Sequence, residues 1–176
     1  MSGRWTFVAV GGLAMLAGAL LWFVQRPQPA LDAPRIAPSA LFASTFQRLD
    51  QTPVALREYA GKVLVLNFWA TWCAPCREEM PAFDRLQSRL GSAHVRFVGL
   101  TGDDATRVAR FLAEHPVSYP ILLGGDRVDS LAKALGDRDG VLPFTVVVDP
   151  EGRVVTQHVG TYSAAELAAI LHRAIP

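Results

Sequence analysis

An apolar run, Val63-Leu64-Val65-Leu66-Asn67-Phe68-Trp69, stops three residues before Cys73-Ala74-Pro75-Cys76, and a helical pattern begins at once. Nothing else in the chain constrains its fold as tightly. A near-continuous apolar strand is the pattern of a strand covered on both faces, so layers are needed on either side of a sheet. Cys73 and Cys76 are the only cysteines among 176 residues, which leaves the core without a structural crosslink. At i and i+3 they face the same way on a first helical turn, and a disulfide can close between them. A thiolate at that position is stabilised by free backbone N–H groups and the helix dipole. Pro75 costs no helix hydrogen bond there, because its N–H would be unpaired anyway. The placement reads as a dithiol/disulfide site; the two sulfurs alone would also suit a soft metal site.

The remaining pattern surrounds this unit with further strands and helices. Phe46–Leu49 and Pro53–Leu56, around Asp50-Gln51-Thr52, predict a short hairpin. Met80, Phe83, Leu86 and Leu90 form one helical stripe after the cysteines, and Val95–Leu100 is the next strand. Asp103 or Asp104 can cap a helix carrying Val108, Phe111 and Leu112. Tyr119–Leu123 reads as a short strand, Val128–Leu135 as a short helix, and Phe144–Asp149 with Arg153–Val159 as a second hairpin. Ser163-Ala164-Ala165-Glu166 is a capping box opening a last helix, with Leu167, Ile170 and Leu171 inward. A central sheet with helices on both faces accommodates this order.

Trp5–Val24 contains no charge and no proline, about the ~20 residues a helix needs to cross a bilayer. Trp5 and Trp22-Phe23 stand near its ends, where aromatic side chains favour the interface. Gln25-Arg26-Pro27-Gln28-Pro29 follows without an Ala-x-Ala cleavage pattern, so residues 5–24 are expected to be an uncleaved signal anchor. Residues 25–40, with Pro27, Pro29, Pro34 and Pro38, read as an extended tether. Residues 41–176 are long enough for one well-buried core. Basic residues flank the apolar segment almost evenly and leave its orientation open. The formal net charge is +1, without a block of either sign, which gives nucleic-acid binding no support.

Glu79 is i+3 from Cys76, on the same face one turn deeper, where a carboxylate can accept the proton of Cys76; the bland alternative is a solvated charge beside Arg77 and Glu78. Two other functions stay in view. A copper chaperone or metal-binding module would use the cysteine pair as ligands, but His94, His115, His158 and His172 lie at no ligand spacing from one another. A peroxidase is the second alternative. No metal is expected, and no cofactor beyond the Cys73–Cys76 couple itself.

Phe68-Trp69-Ala70-Thr71-Trp72-Cys73-Ala74-Pro75-Cys76-Arg77-Glu78-Glu79-Met80-Pro81 resembles the active-site stretch of thioredoxin-fold proteins, and more narrowly that of membrane-anchored TlpA/ResA-type thiol–disulfide oxidoreductases. The resemblance runs from about residue 40 to the C-terminus. It implies an α/β thioredoxin-like fold, a central mixed sheet flanked by helices with an N-terminal β-hairpin extension. Leu142-Pro143-Phe144-Thr145 resembles the family's cis-proline loop, so Pro143 is expected to be cis. Leu142 and Pro143 would then bind substrate backbone, with Trp72 as one wall. Asn67 falls where cytoplasmic thioredoxins carry a buried aspartate, and a glutamate matching Glu79 belongs to the ResA-like site. An acid follows the cis-proline in cytochrome-maturation thioredoxins, whereas Phe144 is apolar; this chain departs from that branch.

Two further implications concern direction and place. Thioredoxin's nucleophile lies near pKa ~7, and Ala74-Pro75 adds no charge between the cysteines, so a reductant of protein disulfides is expected. The family's domains face outward from the cytoplasmic membrane and receive electrons from a membrane thiol transporter. The same partner and a monomeric, periplasmic domain are expected here.

Overall fold

The computed structural model describes residues 36–91 and 93–175; the expected anchor at 5–24 and most of the tether at 25–40 lie outside the described residues. The elements are, in order, α1 (Pro38–Ala43), β1 (Thr45–Gln47), β2 (Pro53–Ala55), β3 (Val63–Phe68), α2 (Ala74–Leu90), β4 (Val95–Thr101), α3 (Ala105–Glu114), β5 (Ile121–Leu123), α4 (Asp126–Ala134), β6 (Phe144–Val148), β7 (Val154–Val159) and α5 (Ala164–Ala174). A 3-10 turn, Leu56–Tyr59, follows β2. The strands form one mixed sheet in the order β2-β1-β5-β4-β3-β6-β7. β3 runs parallel to β4, and β4 to β5; the other pairings are antiparallel.

β3 lies between β4 and β6 and is buried along its whole length, as its two apolar faces require. Val63 and Val65 point into one cluster, with Met80, Phe83 and Leu86 of α2, Val108 and Phe111 of α3, and Leu167 and Leu171 of α5. Leu64, Leu66 and Phe68 point into the other, with Leu41 of α1 and Val128 and Leu131 of α4. The period of two along β3 thus separates two hydrophobic layers, and the thioredoxin-like mixed sheet expected from the resemblance is present.

Several local expectations are sharpened. Leu41 is fully buried, so the last residues of the segment read as tether, Pro38 onward, instead open α1 and pack Pro38 and Phe42 over Gly152. Asp104, not Asp103, caps α3, accepting from the Arg107 N–H at 2.9 Å. The Ser163–Glu166 capping box forms on α5, whose Leu167 and Leu171 are buried while Ile170 is only half-buried. α2 continues through Pro81, which has no N–H to give to the carbonyl one turn back.

Gln87 holds α2 to the sheet. β5 is short and pairs only Gly99–Thr101 of β4, so the earlier residues of β4 lack a neighbour on that side. The buried Gln87 amide takes the place of that strand: Nε2 donates to the Val95 carbonyl at 3.0 Å, and Oε1 accepts from the Phe97 N–H at 2.8 Å.

Candidate active site

Cys73 is the N-cap residue of α2, with extended backbone, and its Sγ accepts from the Cys76 N–H at 3.3 Å. The two cysteines are joined as a disulfide, their Cα atoms 5.3 Å apart. Cys73 is 5 % exposed and Cys76 fully buried, so of the two residues only Cys73 reaches solvent. That asymmetry suits an attacking Cys73 and a resolving Cys76. Trp72, immediately before them, is 70 % exposed, so its indole stands in water at the start of the cysteine turn.

The turn carrying Trp72 is tied down by a residue whose role the sequence did not disclose. Asp103, just after β4, accepts from the Thr71 N–H at 2.7 Å and from the Thr71 hydroxyl at 2.8 Å through the same oxygen, Oδ2. Two successive aspartates before α3 were a signal, since one suffices as a cap. Ala70 adds its carbonyl, which accepts from the Cys73 N–H at 3.1 Å.

The Leu142–Pro143 bond is cis. Phe144 pairs with Phe68 in register, which brings the start of β6, and with it this loop, to the end of β3 where the cysteine turn begins. Pro143 is held through its carbonyl, which accepts from the Gly160 N–H at 2.8 Å. The buried Asp137 carboxylate steadies the approach to the loop, accepting from the Gly140 and Val141 N–H groups at 3.1 and 3.3 Å. Burial raises the Asp137 carboxyl above its ordinary range, against the pull of those two donors. Trp72, Leu142, Asp103, Asp137 and Lys133 all line one open cavity of about 450 Å³.

Glu79 is not a solvated helix charge. It is 4 % exposed, one turn along α2 from Cys76 on the same face. Its Oε1 accepts from Asn67 Nδ2 at 2.8 Å and its Oε2 from the Tyr162 N–H at 3.4 Å. Asn67 Nδ2 also donates to Thr145 Oγ1 at 3.1 Å. Burial lifts the carboxyl from 4.5 to about 7, while the Asn67 and Tyr162 donors restrain the rise. A carboxyl whose pKa lies near 7, one helical turn from a cysteine, can take or return a proton at working pH once the disulfide is reduced. Among the described residues no three His, Cys, Asp or Glu side chains gather as a metal site would need.

A family model described as Redoxin matches residues 33–171. The chain is 28% identical over 130 residues to the thiol-disulfide oxidoreductase ResA of Bacillus cereus, a match covering 73% of this chain and 72% of that one. Among solved structures, a thioredoxin-related protein from Neisseria meningitidis serogroup B is 35% identical with a TM-score of 0.67, over 73% of this chain and 97% of that chain. A thioredoxin-family thiol:disulfide interchange protein from Chlorobium tepidum is 25% identical with a TM-score of 0.65, over 85% and 99% of the two chains.

Proposed function

The chain belongs to the Redoxin family, as a thiol–disulfide oxidoreductase of the TlpA/ResA type, and from that premise we propose that it reduces protein disulfides outside the cytoplasmic membrane, anchored there by residues 5–24. The observation that carries the direction of proton flow is the buried Glu79, held close to neutrality one turn from the buried Cys76.

In the reduced protein the Cys73 thiolate attacks one sulfur of a substrate disulfide. That S–S bond breaks, the first substrate sulfur leaves as thiolate, and Cys73 is left in a mixed disulfide. Glu79 takes the proton of Cys76. The Cys76 thiolate then attacks Cys73 Sγ, forming the Cys73–Cys76 disulfide and releasing the second substrate sulfur. Two electrons have passed to the substrate, and a membrane thiol transporter returns them to the couple. Trp72 and the backbone at Leu142 and Pro143 line the approach and hold the substrate chain extended across Cys73. Substrates in cytochrome c or cytochrome oxidase assembly fit a reductant in that compartment, which acts as a monomer.

Trapping in cells with Cys76→Ala tests this reading. Mixed disulfides through Cys73 to extracytoplasmic proteins are the expected capture. A reduction potential close to that of strong oxidases such as DsbA, about −120 mV, would reverse the proposed direction.

A further inference from the structure

Asn67 stands on β3, 1 % exposed, directly opposite Thr145 in the β3–β6 register. Its Nδ2 makes two donor bonds, to Glu79 and to Thr145, while its Oδ1 is buried with no partner among the described residues. A core amide with one end doubly used and the other idle is an unusual arrangement, because buried polar atoms are generally satisfied. The chemistry of Glu79 accounts for it. An ionised carboxylate only accepts, so it must be met by N–H; a protonated carboxyl carries a donor of its own and is best met by a carbonyl. An amide presents either end by a half-turn of its terminal torsion. After that turn Oδ1 would accept from the Glu79 O–H and from the Thr145 hydroxyl, which can rotate to donate. An aspartate offers no N–H at all.

We propose that Asn67 is the positioning residue of the proton transfer: its N–H holds the Glu79 carboxylate ready for the Cys76 proton, and its carbonyl holds the acid that results. This deepens the proton-acceptor reading of Glu79 and rests on it. The other groups around Glu79 do not supply the same service. Tyr162 meets it through its backbone N–H, and its ring lies against His158 at 4.4 Å. The buried Tyr119 hydroxyl has no partner among the described residues, and its pKa is raised by burial first and then by the charges of Glu79 and Asp84. Burial, Asn67 and Tyr162 are the causes that set the Glu79 carboxyl, and none of them is a charge.

The test uses the full chain in detergent, oxidised, with the Glu79 side-chain carboxyl followed by carbon NMR across pH. Asn67→Leu removes the donor, and Glu79 is expected to titrate about one pH unit higher, as loss of one charge-assisted bond implies. Asn67→Asp, nearly isosteric, puts a second carboxyl in contact and is expected to raise it further. In the pH profile of disulfide reduction the acid limb moves up with the titration, and in a Glu79→Gln background Asn67→Leu no longer moves it. Unchanged Glu79 titration in both Asn67 variants overturns the proposal, as does a limb shift that persists without Glu79. If Glu79→Gln alone leaves rate and profile as in the wild type, the proton-acceptor reading fails, whereas the NMR titration still decides the part played by Asn67.

Discussion

Glu79→Gln keeps the shape of the side chain and deletes its charge, so it measures what burying that carboxylate costs. A carboxyl that titrates at 4.5 in the unfolded chain and about 7 in the fold binds its proton more tightly when folded. Between those values the folded protein holds more protons than the unfolded one, so stability falls as pH rises. The contribution is unpenalised below 4.5 and carries its full cost above about 7. At about 1.4 kcal/mol per pH unit, that cost is roughly 3 kcal/mol in alkaline solution. The substituted glutamine escapes it, retaining an oxygen for Asn67 Nδ2, but turns an N–H towards the Tyr162 N–H. The Tyr162 bond is long, 3.4 Å, and its loss subtracts less than about 1 kcal/mol. The variant is therefore expected to be more stable than the wild type by roughly 2 kcal/mol near pH ~8.5 and close to equal near pH ~4.5. Urea titrations of both proteins with the disulfide intact exclude thiol ionisation from the comparison. Equal stability at both pH values, or a variant less stable in alkali, would refute the reasoning.

Asp103→Ala removes both acceptor contacts to Thr71 and is expected to lose roughly 2 kcal/mol of stability together with a slower disulfide exchange, measured by unfolding and by insulin reduction; unchanged exchange would show that the Thr71–Trp72 turn holds without it. Gly99→Ala would put a Cβ 2.5 Å from Ile121 Cδ1 and 3.0 Å from Trp69 Nε1, an overpacking expected to cost about 1–3 kcal/mol. Ile121→Val removes the nearer atom, and thermal unfolding of the double variant should show partial recovery. Gln87→Met leaves the Val95 carbonyl and the Phe97 N–H without their partner; a loss of roughly 2 kcal/mol and faster hydrogen exchange at the Phe97 amide are the expected readings.

The parts of this protein legible in its sequence are those written in neighbours. The near-continuous apolar run Val63–Trp69, the stripe Met80-Phe83-Leu86, the Ser163–Glu166 box and the spacing of Cys73 and Cys76 all involve residues within one or two turns or along one strand. Local spacing placed Glu79 on the face of Cys76, and the resemblance pointed to a cis Pro143. The second strand of the first hairpin ends at Ala55, one residue short of the expected Leu56, because Leu56 enters the 3-10 turn, a boundary that packing sets and propensity does not.

Tertiary structure alone decided what surrounds those residues. Asn67 and Thr145 are 78 residues apart and meet because β3 and β6 pair in one register; a slip of a single residue would turn one of the two side chains to the opposite layer. Asp103 reaches Thr71 across 32 residues, and the Tyr162 N–H reaches Glu79 across 83. Burial is likewise a property of the assembled layers, and it is burial that carries Glu79 from an ordinary acid to one balanced at about 7. The sequence thus determined which atoms can exchange electrons. Strand register and the closing of the core over Glu79 determined which carboxyl can exchange protons beside them, since desolvation and donor geometry exist only once distant segments have met.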